Sequence, residues 1–366
     1  MTGPTAAASS LTLFDHALRL HRQYPDSSLP LDGCPYPDEW RHRRRSAMQS
    51  NDRRRRGADI AALLDTHFAQ SSAAPGDLAD VLHGPDMPYR HNSHIAAAAL
   101  RADRERALEV GRWLVRHGTD RCAVGVGLAL LAEDWAPEDI PLIQTIGLLS
   151  RHFGALAAHA LRRRRGGEAA LLWLGARVTN WGRVHVVEGL CQSPSWGARS
   201  WLLRHSCDGP SLAGYYAGKV AAAAHLHEAI THTVVDDELV DHTCLLMNIM
   251  ATCAGMGITL SDYPPGPCVL AALADHRSQQ RPTAARYIDT AVLTDRLASM
   301  TLEELGLNGD QRGELVRRFL AVLNRDDWCT IVRDNIDLSD PWQAQFERLV
   351  APRMPLRAFA NTASAT

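Results

Sequence analysis

This chain of 366 residues has one lysine, Lys219, although lysine and arginine together number 39. Its basic charge is carried almost wholly by arginine, a bias that fits an alanine-rich protein from a GC-rich bacterial genome. Runs of arginine therefore say less here than they usually would. No CxxC pair occurs among the eight scattered cysteines, which excludes a thiolate zinc site of ordinary spacing. The nucleophile-elbow pattern GxSxG, the phosphate-cradling GxxxxGK[ST] and a GxGxxG following a strand are all missing. The longest apolar run, Cys122 to Ala132, falls far short of the ~20 residues that a membrane helix needs. The N-terminus has neither a basic start nor a clean apolar stretch, so a cytoplasmic protein with reduced thiols is expected. A net charge of −2 supplies no overall field toward nucleic acid or membrane. Alternating strand patterns bounded by hairpin turns are scarce, and an all-α fold is expected.

What is present is repetition. The stretch WLVRHGTD (113–120) returns as WLLRHSCD (201–208), 88 positions later. Between them, LLWLGARVTNWGRV (171–184) aligns Trp173 with the other two tryptophans and Asn180 with Asp120 and Asp208. LLSRHFGA, with Leu148 in the tryptophan place, is a weaker copy, and the spacings become 35, 25 and 28 residues. A period near 30 with two apolar runs per unit predicts repeated helix pairs. In each unit the tryptophan belongs to the apolar stripe of a first helix, as a core spacer. The Asp or Asn that follows is placed to cap the second helix. Glycines such as Gly127 and Gly189 keep that second helix slim.

With an apolar first helix, Asp or Asn at the turn and an arginine soon after it (Arg121, Arg183), the chain resembles the HEAT-repeat family in its short variety. The resemblance covers about 104–224 and weakens through 225–256 and 286–350. It implies an α-solenoid of antiparallel helix pairs; a non-repeating helical bundle is the alternative. The domains expected are an N-terminal helix with Pro-rich and Arg-rich linker (1–56), a helical-repeat body (57–260), and a C-terminal helical segment (261–366) beginning at SDYPPGPC.

A solenoid offers a curved surface and needs no preformed pocket, so the expected function is a non-catalytic scaffold that binds a protein partner without a cofactor. Trp181 and Trp196, near turns, are the candidate aromatic anchors, with Arg121 and Arg183 beside turns as candidate partner contacts. The alternative role for the two arginines is purely structural. A second reading is nucleic-acid binding, carried by Arg41, Arg43, Arg44, Arg45, Arg53, Arg54, Arg55 and Arg56, eight arginines against the single acid Asp52. The resemblance admits it, since HEAT-like solenoids include DNA glycosylases. It also admits an enzyme, since short HEAT repeats occur in lyases that attach bilin chromophores, but no residue here maps onto their functional groups. No metal site is expected. The richest donor cluster, HLHEAITHTVVDDELVDH (225–242), places Glu228 with His232 and Glu238 with His242 four apart. Its HExxxH spacing turns the two imidazoles about 140° apart on a helix, which rules out the HExxH zinc geometry. Asp236 or Asp237 reads there as a helix cap.

Overall fold

The structure, a computed structural model, describes residues 11–42, 57–84, 87–192, 194–209 and 212–360. All regular structure among these residues is helical, with no strand. None of the helices is long and apolar enough to cross a membrane. The chain divides into two compact units, Met1–Leu190 and Cys191–Thr366.

The first unit contains α1 (Leu13–Gln23), α2 (Glu39–His42), α3 (Ala58–Ala69), α4 (Pro75–Val81), α5 (Ser93–Arg101) and α6 (Arg104–His117). It continues through α7 (Arg121–Ala132), α8 (Ile140–Gly147), α9 (Ser150–Arg162), α10 (Gly167–Gly175) and α11 (Asn180–Cys191). Its centre is α7, whose sequence RCAVGVGLALLA is apolar almost all round and whose every residue is buried. A helix of that composition is stable only when covered on all sides, and α5, α6 and α9 cover it. The crossing with α6 is close. A Cβ on Gly127 would lie 2.9 Å from the Gly111 carbonyl oxygen, so glycine is required where the two backbones meet. Helices α6, α8 and α10 pack in succession, and α9 packs on both α8 and α10.

The repeated tryptophans sit one residue away from the core. Trp113, Trp173 and Trp201 are all half-buried, whereas the leucine after each (Leu114, Leu174, Leu202) is at most 1% exposed. Complete burial of a leucine contributes about 1.5–3 kcal/mol, so the leucines hold the units. Each tryptophan instead leans on the basic side chain one turn along. Trp113 lies 5.2 Å from the His117 ring, Trp201 lies 6.5 Å from His205, and the Arg177 guanidinium stands 4.5 Å over Trp173.

Only one of the three expected caps forms as read. Asp120 caps α7, accepting from the Cys122 N–H at 2.8 Å. Asn180 is already the first residue of α11, with a left-handed φ of 48°, and the Thr179 carbonyl accepts the first turn's N–H from Arg183. No α-helix follows Asp208 directly; the next is Ala217–Ala223. Asp208 instead lies 3.1 Å from the His205 imidazole.

The Pro-rich segment expected as a linker is packed structure. Leu29, Tyr36 and Asp38 are at most 3% exposed, and the Tyr36 hydroxyl donates to the carbonyl of Leu149 at 3.1 Å. Burial of two large apolar groups anchors this stretch despite its four prolines.

The second unit contains α12 (Trp196–His205), α13 (Ala217–Ala223), α14 (Leu226–Ile230), α15 (Asp237–Thr252) and α16 (Gly266–Gln279). Then come α17 (Ala284–Ser299), α18 (Leu302–Leu305), α19 (Gly309–Leu323), α20 (Asp326–Asn335) and α21 (Pro341–Leu349). Asp236 caps α15, accepting from Leu239 N–H at 2.8 Å, as its sequence position suggested. Helix α15 packs against α12, α13, α16 and α17, and α17 against α19, α20 and α21. The SDYPPGPC turn lies inside this unit, with Leu260 bonded back to Met250 in α15. The division at 190/191 therefore differs from the boundary expected at 260/261. An aromatic core of Tyr287, Trp328 and Phe346 closes the C-terminal end.

Candidate functional site

Arg121 is the hub of a buried ionic network. Its backbone N–H, Nε and Nη2 all donate to Asp38, at 2.7, 2.9 and 2.7 Å, and Nη2 also reaches Glu39 at 2.9 Å. Its guanidinium lies 5.3 Å from the Tyr36 ring. Nη1 donates to His152 Nε2 at 3.0 Å. A guanidinium has no acceptor, so that nitrogen must offer its lone pair, which fixes the neutral tautomer. Arg183 is likewise buried and donates to the Gly175 carbonyl. Both arginines are thus turned inward, the geometry that the structural alternative requires. Arginine at the first turn of a buried helix has nearby carbonyls and carboxylates to satisfy, and this outweighs exposure.

Burial, with the charges of Arg121 and Arg151 behind it, pushes the His152 imidazole down to about 4. Unfolded, it titrates near 6.5, so between these values the unfolded chain binds the extra proton. Stability is therefore unaffected above about pH 7 and falls as pH drops from 6.5 toward 4. Thermal melts across that window will show a falling Tm, and His152→Gln will flatten part of the fall. A Tm that His152→Gln leaves with the same slope would contradict this. Asp120 acts at lower pH: burial alone would raise its carboxyl, but the Cys122 N–H and the imidazoles of His42 and His83 hold it below the ordinary value.

The arginine segment resolves less. Arg43, Arg44, Arg45, Arg53, Arg54, Arg55 and Arg56 lie outside the described residues, as does the Arg41 side chain. The sequence also carries four consecutive arginines at 162–165; of these, Arg164 is buried and donates to the carbonyls of Ala136, Ala160 and Leu131 at 3.1, 2.7 and 2.6 Å. It closes helix ends instead of facing solvent.

In the second unit, a groove of about 460 Å³ brings together residues that were read separately in the sequence. Trp196, from the start of α12, lines it together with Glu228 and His232 from the α14 region. Its floor includes Leu203, Ala224 and Leu239, and Trp196 and Val234 rise from it 85% and 84% exposed. Arg204 donates to Asp236 at 2.6 Å, and this bond pulls the Asp236 carboxyl below its ordinary value. Arg199 lines the groove, and its Nε is buried without a hydrogen-bond partner. His225 stands 3.2 Å from Glu228. Trp181, 43% exposed in the first unit, stacks on His185 at 6.1 Å.

The donor pairs do not meet as a metal site. Helix α14 ends at Ile230, so His232 lies beyond it and no helical face joins it to Glu228. Glu238 and His242 share α15 but diverge. Glu238 approaches His205 at 3.7 Å, while His242 is buried with Ser206 at 3.2 Å. Among the described residues, the groups of three ligating side chains that come within 4.8 Å of one another are His42, Asp120 and Cys122, and separately His91, Glu133 and His159. Neither group has a spacing that marks it in sequence. A scan against protein-family models finds no match to this chain, and neither the curated proteins nor the solved structures yield one.

Proposed function

We propose that this protein is a non-catalytic binding scaffold of HEAT-like helical repeats, whose second-unit groove takes an extended protein segment. The observation that carries the reading is Trp196. An 85% exposed tryptophan at the rim of a groove with an apolar floor is the residue type and position of an interface anchor. Beside it, the unpartnered Arg199 Nε is a buried donor whose desolvation costs about 1–3 kcal/mol until an acceptor arrives. The segment bound is therefore one that carries a large apolar side chain next to a carboxylate. The succession α6, α8, α10, with α7 and α9 on their other side, supports the repeat-array part of the reading. Protein comes before nucleic acid, since the nucleic-acid reading rests on residues 41–56 alone.

The test is a peptide array varying one apolar and one acidic position, with hits measured by fluorescence anisotropy. Trp196→Ala is expected to weaken the best peptide at least tenfold, and Arg199→Met to weaken acidic peptides more than amidated ones. If no peptide binds, or if Trp196→Ala leaves binding intact, the groove is not the interface.

A further inference from the structure

We propose that His91, Glu133 and His159 form a site for a divalent transition-metal ion of the zinc class, in the first unit and independent of the groove. The three ligands come from separate elements that pack together. His91 stands just before Asn92, the N-cap of α5; Glu133 is the C-terminal cap of α7; His159 lies in the last turn of α9. Since α7 packs against both α5 and α9, the positions of Glu133 and His159 are set by packed helices, and His91 stands one residue before the α5 cap.

The geometry is that of a ligand set. His91 Nε2 stands 3.2 Å from Glu133 Oε1, and the His91 and His159 rings lie 4.4 Å apart with a 31° tilt. Metal–nitrogen and metal–oxygen bonds of about 2.0–2.2 Å in a tetrahedron require ligand atoms roughly 3.3 Å apart. The first pair already meets that separation. All three donors lie within 4.8 Å of one another, so His159 has about 1.5 Å at most to close, a small side-chain adjustment.

His159 Nε2 is otherwise unexplained: it is buried without a hydrogen-bond partner, and Glu133 Oε1, also buried, has no hydrogen bond and only the His91 imidazole at 3.2 Å to balance it. A buried imidazole nitrogen left unpaired is costly and calls for a specific cause. One cation accepts lone pairs from both atoms. The other carboxylate oxygen is held: Arg163 Nη1 donates to Glu133 Oε2 at 3.4 Å, which aims Oε1 at the imidazoles as outer partners of metal ligands do. His91 is 40% exposed at its side chain and provides the route of entry.

The second cluster lacks this signature. Asp120 Oδ2 already takes His42 and His83 at 3.1 and 2.8 Å, and Oδ1 takes the Cys122 N–H. Two imidazole nitrogens and one carboxylate oxygen favour zinc, cobalt or iron(II) over magnesium or calcium. Three protein ligands leave a fourth position for water, the arrangement of open sites and not of closed structural ones.

Cobalt(II) titrated into the chelator-treated full chain tests the assignment. One equivalent should develop visible d–d absorption and be displaced by Zn²⁺. E133Q, H159Q and H91Q should each weaken binding beyond the roughly 10–100-fold that outer-partner changes cost, with R163A inside that range. H42Q should leave it unchanged. Circular dichroism checks folding, and H91Q, at an exposed loop position, keeps the test decisive if an inner variant unfolds. Absence of a cobalt spectrum, its survival in H91Q and E133Q, or its loss in H42Q would each overturn the site.

Discussion

Replacing Asp38 with alanine lowers the unfolding free energy by about 3–5 kcal/mol, the range for stranding one partner of a buried ion pair. Asp38 is 1% exposed and accepts three N–H groups from Arg121. Its removal leaves a guanidinium that is 9% exposed, with only the rim residue Glu39 to balance it. Against a total of 5–15 kcal/mol for an ordinary domain, the loss is large. Urea unfolding followed by circular dichroism measures it. The double variant Asp38→Leu, Arg121→Met should recover most of the loss, because apolar replacement of a whole buried pair is often neutral. If Asp38→Ala alone costs under about 1 kcal/mol, the network is not holding this part of the unit.

Trp328→Ala should cost a similar amount, about 3–5 kcal/mol, by cavity formation. Trp328 is fully buried in the cluster with Tyr287, Leu323, Val332 and Phe346, its ring 6.4 Å from that of Tyr287. Trp328→Phe should cost much less, because the indole Nε1 is buried without a partner and its removal forfeits no hydrogen bond. Thermal melts of the two variants separate volume from polarity. Equal losses in both would mean that packing volume is not what Trp328 contributes.

The helical class was legible because apolar runs recur with helix signals and strand signals are scarce. The recurring tryptophan stretches stand in the sequence too, but their lettering misled. Tryptophan marks the rim and the leucine after it marks the core, because an indole stacks well on a basic side chain four residues along (His117, Arg177, His205). A W-x3-[HR] pattern was present in the sequence and carried that information. Arg121 and Arg183 were found but assigned outward, since a turn position says nothing about what packs over it. What covers Arg121 is Asp38, 83 positions earlier, inside a stretch whose prolines suggested a linker. Trp196 and Glu228 were each picked out, and only tertiary packing puts them on one groove. His91, Glu133 and His159 escaped notice because they sit 42 and 26 residues apart on a loop, a helix end and a helix, and no periodicity links them.

The packed N-terminal segment bears on synthesis of the chain. Tyr36 is completed by Leu149, and the Arg177 Nε donates to the Pro25 carbonyl. At about 5–20 residues per second, a ribosome takes roughly 6–23 s to travel from Tyr36 to Leu149 and roughly 8–30 s from Pro25 to Arg177. Until Leu149 is made, the buried Tyr36 hydroxyl lacks the carbonyl it donates to, and α1, which packs on both α6 and α8, has only the first of these helices available once Gly118 is made. The start of this unit thus completes its packing only after residues more than a hundred positions later have been made.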